Sequence, residues 1–288
     1  MKRAALAALL AATCVFAAKA QVPGLTGNNG KPIHISADNG IEWQQNNHVY
    51  IARGNAIATR GDDTVTADTL LAYYRPVAGA PPPATGKGSD PTNSGSTQIY
   101  RLDADGHVVF KSPVDTMFGD HAIYDVDKST LVVTGKALKI LTPTDVITAR
   151  DSLEWYDQQQ IGVARGNALA IRGDRIVHGD VLTARVEKLK DGSSHISRVD
   201  AHGNVIVSSP GQIARGDAGV YDLDTGIVTL TGRVRLTRGE NELRGRYAVV
   251  DLNTNVSRLL PGPPNARLAA GNGRVEGLIV PHQNTRTP

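Results

Sequence analysis

Cysteine and phenylalanine are nearly absent from this chain: one Cys and three Phe in 288 residues. Cys14 lies in an opening segment that carries Lys2 and Arg3, a short apolar run from Ala4 to Ala18, and Ala18-Lys19-Ala20 ahead of Gln21. That layout reads as a cleavable export signal, residues 1–20, and its apolar run is too short to span a bilayer. Ala11-Ala12-Thr13 is a poor lead-in for lipid attachment at Cys14. Once the signal is removed no thiol remains, which excludes disulfides and zinc–thiolate sites. Packing and strand pairing must then hold the fold by themselves.

An excess of charge is missing too. The chain has 31 Lys+Arg against 28 Asp+Glu, but Lys2, Arg3 and Lys19 belong to the signal, so the remainder balances 28 against 28. A neutral exported chain without a long basic run gives no electrostatic case for nucleic acid. Long amphipathic helical patterns are absent, and short alternating runs rich in Gly, Val, Ala, Thr and Asp stand in their place.

What is present is repetition. Ile41-Glu42-Trp43, Ala52-Arg53-Gly54-Asn55-Ala56 and Arg60-Gly61-Asp62 recur, at an offset of 112, as Leu153-Glu154-Trp155, Ala164-Arg165-Gly166-Asn167-Ala168 and Arg172-Gly173-Asp174. Gly119-Asp120, Tyr124-Asp125 and Thr134-Gly135 recur at an offset of 97 as Gly216-Asp217, Tyr221-Asp222 and Thr231-Gly232. The blocks are related, because Trp43, Tyr124, Trp155 and Tyr221 each stand eleven residues before a glycine. With Gly106 and Gly203 there are six units about thirty residues apart.

Each unit reads as a glycine turn, a strand, a second turn marked Gly-Asp or Ala-Asp, a second strand and a polar hairpin such as 125–129 or 222–226. Alternation in Arg233-Val234-Arg235-Leu236 points Val234 and Leu236 inward. The same parity turns Ala56, Ala58, Val108, Phe110, Ala168, Ala170, Val205 and Val207 inward, and only Lys139 disobeys. Such small inward residues leave two arrangements open: sheets with space between them, or a thin, fully packed solenoid. The fifteen-residue excess of the first repeat falls in the Pro/Gly-rich stretch 77–96, a surface loop within one domain.

Signals for other chemistry are weak. Arg-Gly-Asp at Arg60, Arg172 and Arg215 follows from turn chemistry. The eight His show no HxH or HxxxH pair, and the Asp222-x-Asp224-x-Gly226 turn lacks the bidentate Glu of a calcium loop. Gly86-Lys87 lacks the Ser/Thr of a phosphate loop, and no Gly-x-Ser-x-Gly elbow or paired carboxylate stands out. No catalytic residue, cofactor or metal is expected. A non-catalytic adhesive β-solenoid and a polysaccharide-active β-solenoid enzyme are the alternative functions.

Four segments, in this order, resemble the OstA-like (LptA-like) proteins of lipopolysaccharide transport: Lys31-Pro32-Ile33-His34-Ile35-Ser36-Ala37-Asp38, the Gly54–Ala58 strand, Tyr124-Asp125 to Thr134-Gly135, and Arg274-Val275-Glu276-Gly277-Leu278-Ile279-Val280-Pro281. The resemblance covers nearly all of the chain after the signal. It implies an all-β open jellyroll, elongated, with two facing antiparallel sheets. A short lead at 21–32 is then followed by the jellyroll at 33–260, in halves 33–141 and 145–260, and by a tail at 261–288 holding a last strand near 274–281.

The resemblance further implies a periplasmic carrier that moves lipopolysaccharide between the membranes with its acyl chains in an apolar groove. Ile33, Ile35, Tyr124 and Val126 are the lipid-facing candidates, joined through internal symmetry by Trp155 and Tyr221 and through parity by the inward residues above. Trp155 and Tyr221 read as readily as ordinary core aromatics. The end strands, with Ile33, His34, Ile35, Val275, Leu278, Ile279 and Val280, are the expected edges for head-to-tail assembly. The implied partners are the inner-membrane extraction complex and the outer-membrane translocon, met through their own jellyrolls. Coverage of either edge by the chain itself is the other possibility. The cleavable signal favours a soluble bridge over a membrane-anchored relative.

Overall fold

The computed structural model describes residues 33–77, 97–188, 194–254, 256–263 and 274–280. The expected signal, the lead at 21–32, residues 78–96 of the insertion, Pro281 and the tail beyond it lie outside these residues.

Eighteen strands among the described residues form one hydrogen-bonded sheet. In the first half these are β1 (His34–Ser36), β2 (Ile41–Gln44), β3 (Val49–Arg60), β4 (Asp63–Pro76), β5 (Thr97–Lys111), β6 (Thr116–Asp125), β7 (Thr130–Thr134) and β8 (Leu138–Leu141). The second half holds β9 (Asp145–Ala149), β10 (Ser152–Tyr156), β11 (Ile161–Arg172), β12 (Arg175–Lys188), β13 (Ser194–Ser209), β14 (Gln212–Asp222), β15 (Ile227–Arg238), β16 (Asn241–Asp251), β17 (Val256–Leu260) and β18 (Glu276–Leu278).

Long strands bend in the middle, and the bends come from the repeated glycines. On β3, Gly54 (φ 78°) and Asn55 (φ 42°) face the single residue Asp68 of β4, with the register shifting between Arg53 and Ala56. An extra residue on one strand is a β-bulge, which kinks it and sharpens its twist. Gly106 of β5, Gly166 of β11, Gly203 of β13 and Gly232 of β15 repeat the arrangement against Asp120, Asp180, Asp217 and Arg246. A Cβ on Gly106 would sit 2.1 Å from an Asp68 carboxylate oxygen. The same carboxylate meets His107 Nδ1 at 2.9 Å, and Asp120 accepts the Lys136 backbone N–H at 2.8 Å. The expected pairs of turns are therefore one line of bends inside continuous strands, and the chain reverses only at hairpins such as Arg60–Asp63.

The bend line divides the sheet into two layers. β2, β7, β10 and β17 complete the first layer, and β1, β8, β9 and β18 complete the second. Every strand pair is antiparallel, and the interior is one apolar cluster reaching from Val65 to Leu252. The chain is an all-β jellyroll of two facing layers.

Lys139 obeys the alternation once the bend is counted correctly. Between Leu230 and Val234 the bend of β15 takes three residues, whereas between Val133 and Leu138 it takes four, and β7 and β8 separate there. The parity slips by one, so Leu138 is buried, Ile140 faces in and Lys139 is exposed.

Candidate functional site: an apolar groove between the layers

Register carries the inward positions across the layers as unbroken rungs. In the first layer one rung runs Ile41, Ala52, Leu70, Ala104, Ala122, Val133, Leu153, Ala164, Leu182, Ala201, Gly219, Leu230, Ala248, Leu259. The adjacent rung, farther from the bend, carries Trp43, Tyr50, Tyr124, Trp155 and Tyr221. The aromatic-to-glycine spacing of eleven thus has a geometric cause: each aromatic is one hairpin and four residues from the bend, which places all four on one line. In the second layer Ile35, Ala58, Val65, Phe110, Met117, Ile140, Ile147, Ala170, Val177, Val207, Ala214, Leu236, Leu243 and Gly277 form the facing rung.

Two cavities open between these rungs. One, of about 660 Å³ including its opening to solvent, is lined by Ile33, Ile35, Ala58 and Phe110 on one side and Tyr50, Leu70, Leu102 and Tyr124 on the other. The larger, of about 1200 Å³ measured the same way, lies between Met117, Ile140, Ile147, Ala170 and Val177 and the opposing Leu153, Trp155, Leu182, Ala184 and Tyr221. Toward the C-terminal end Val228, Leu230, Leu236, Ala248 and Val250 are all buried and fill the interior with side chains.

Distance from the bend decides which inward residues line open space. Ala56, Val108, Val205 and Val234 lie two residues past their glycines, where the layers converge, and all are at most 2 % exposed. Ala58 and Phe110, four residues past, line the smaller cavity, while Val207 and Leu236 occupy the same rung in packed surroundings. Val126 packs against the core from the outer margin of the first layer. Trp155 and Tyr221 both line the larger cavity, with Trp155 lying over Gly162, 3.7 Å from where that residue's Cβ would be. The glycine-based parity missed the other strand of each unit. Val65, Met117 and Val177 each stand three residues before an aspartate of the bend line, a spacing that would have found them.

The mouth is polar. Asp115 lies at the rim of the larger cavity, 3 % exposed, and one of its carboxylate oxygens has no hydrogen-bond partner among the described residues. Burial, and next the charge of Asp145, pushes its pKa up to about 7. Asp145 receives two hydrogen bonds from Arg172, at 2.6 and 2.7 Å, which hold that guanidinium above its ordinary pKa. Across the mouth, Arg175 donates to the Leu252 carbonyl at 3.3 Å and Gln212 to Ser257 Oγ at 2.7 Å. These contacts join β12 and β14 of the second layer to the ends of β16 and β17 of the first, a diagonal crossing of the kind sheet twist produces.

Among the described residues, both ends of the groove are open edges: β1 pairs only with β3 and β18 only with β16, and β2 and β17 are likewise one-sided. Ile41 is 51 % exposed, Val256 51 %, Leu278 62 % and Ile279 73 %. Val275 and Val280 are exposed beside them, whereas Ile33 and Ile35 turn into the smaller cavity and His34 turns outward. The edges expected from the sequence, near 33–37 and 275–280, both belong to the second layer. β2 and β17 add the first-layer edges, which the resemblance did not point to.

Comparison with known proteins identifies the family. An uncharacterized protein of Rhizobium meliloti is 27 % identical over 136 residues, 46 % of this chain and 68 % of its own length. A crystal structure of LptH from Pseudomonas aeruginosa, described as the LptA-homologous periplasmic component of the lipopolysaccharide transport device, aligns with a TM-score of 0.41 at 19 % identity. That alignment covers 48 % of this chain and 95 % of LptH. Residues 34–151 and 146–256 each match the family described as LptA/(LptD N-terminal domain) LPS transport protein, so the chain belongs to that lipopolysaccharide transport family and carries its domain twice in tandem.

Proposed function

We propose that this protein is a periplasmic carrier that bridges the inner and outer membranes, holding lipopolysaccharide by its acyl chains in the groove. The observation that carries the reading is the continuity of two apolar rungs, one on each layer, from one edge of the described sheet to the other. Burying acyl carbon contributes about 0.8 kcal/mol per CH₂, so a twelve-carbon chain contributes on the order of 10 kcal/mol. One hydrogen bond to the head group contributes only about 1 kcal/mol. Affinity therefore follows apolar lining, and the groove needs no catalytic group. The edges at β1, β2, β17 and β18, unpaired among the described residues, suit backbone pairing with the jellyrolls of an inner-membrane extractor, an outer-membrane translocon or a second copy.

Photo-crosslinking residues test the groove directly. Placed at Ile35, Phe110 and Ala184, which line the cavities, they should capture lipopolysaccharide in cells. Placed at Arg233 and Arg235 on the outer face they should not. Equal labelling of the two sets would refute a groove that holds acyl chains.

A further inference from the structure

We propose that Arg172 and Arg175 form an anion subsite at the mouth of the larger cavity, taking the phosphate or carboxylate head of an amphiphile whose hydrocarbon chain fills the apolar space beneath. This rests on the groove reading above and adds the class of ligand the groove selects. Arg172 ends β11 and Arg175 begins β12, and they are direct cross-strand partners across the Gly173-Asp174 hairpin. Both line the cavity.

Like charges directly opposite on neighbouring strands destabilise a sheet, so this pair calls for anions nearby. Asp145 supplies one, and its two hydrogen bonds go to Arg172. Arg175 has no ion-pair partner among the described residues, and the hydrogen bond it makes there, to the Leu252 carbonyl, is long at 3.3 Å. A guanidinium carries five N–H donors in a fork that matches phosphate and carboxylate geometry. The Arg172 side chain is 45 % exposed, so an incoming head group can reach the pair from solvent.

Position converts the charge into selectivity. Arg175 is two residues from Val177 and Arg172 two from Ala170, and along a strand that spacing keeps side chains on one face. A head group held by the arginines therefore directs its chain past Ala170 and Val177 toward Ile147 and Trp155. These walls are apolar, and a charge-assisted hydrogen bond is stronger in such surroundings than in open water.

Calorimetric titration of the purified protein with dodecyl phosphate, dodecyl maltoside and inorganic phosphate, the amphiphiles as monomers, tests the subsite. Dodecyl phosphate should bind about tenfold more tightly than the neutral maltoside, with no comparable binding of phosphate alone. Arg175→Gln should abolish that preference while dodecyl maltoside still binds, an unshifted melting midpoint showing that the fold is intact, and Arg175→Lys should retain part of the preference. Equal affinities in the unaltered protein, or a preference that survives Arg175→Gln, would overturn the subsite and leave the groove standing. Phosphate binding as tightly as dodecyl phosphate would overturn the amphiphile assignment in favour of a free-ion site. If neither amphiphile binds, the groove reading fails and takes the subsite with it.

Discussion

At the scale of single residues, the glycines divide into two kinds that the sequence does not distinguish. Gly166 and Gly173 both adopt positive φ, 81° and 58°, but a Cβ on Gly166 would lie 2.2 Å from an Asp151 carboxylate oxygen while the space around Gly173 is empty. Gly173→Ala should cost about 1 kcal/mol from the left-handed conformation alone. Gly166→Ala adds the clash and should cost distinctly more in urea denaturation; equal costs would refute a bend held by glycine–aspartate contact. Asp115 gives a second prediction. Its folded pKa is raised from 3.8 to about 7, so between those values the folded state binds the extra proton. Stability should fall as pH rises through that window, by up to a few kcal/mol. Urea melts from pH 4 to 8 should show the slope, and Asp115→Asn should flatten it. The carboxylates held low, Asp217 chiefly by Arg233 and Asp151 chiefly by Arg150, act at more acid pH with the opposite sign.

At the scale of elements, the tandem offset explains why identical positions differ in burial. The offset of 112 lays β9 and β10 over β1 and β2, and inside the chain β9 and β10 are covered by β8 and β7 through pairs such as Ile147↔Ile140 and Trp155↔Leu131. Trp155 is 5 % exposed and Trp43, its counterpart, 40 %, because no described strand lies beyond β2. The internal junction is therefore a template for docking at the N-terminal edge under the proposed bridging role. Trp43→Lys should weaken association measured by analytical ultracentrifugation while changing the melting midpoint little, since the residue is half solvated already; an unchanged association constant would count against docking through β2. Strand existence and inward parity were legible from Val234, Leu236 and the glycine spacing, because a period of two carries through a three-residue bend; the four-residue bend before Leu138 shifts it, which is why Lys139 misled. The bends themselves were not. Gly-Asn and Gly-Asp are turn signals, and only pairing on both sides shows that the chain continues through them instead of reversing.

At the scale of the whole molecule, legibility depends on whether a feature is periodic. Tandem halves and the apolar interior follow from repeated spacings, so the sequence announces them, whereas the facing layers were implied only by the family resemblance. The diagonal crossing of the layers follows from accumulated twist, which no local motif records. It places Gln212 against Ser257, and this contact ties the layers together at the end where the interior is filled by side chains such as Leu230 and Val250. Under the proposed carrier role, a lipid moving on from the larger cavity toward β17 and β18 must part the layers there. Cysteines at Gln212 and Ser257 give a clean way to prevent this, because the only other cysteine, Cys14, lies within the expected signal. Joined by a short bis-maleimide, they should leave photo-capture of lipid at Ile35 and Ala184 unchanged but abolish its transfer to a second copy of the protein. A single cysteine treated in the same way should transfer normally. Unimpeded transfer through the joined mouth would show that lipid leaves the groove without opening the C-terminal end.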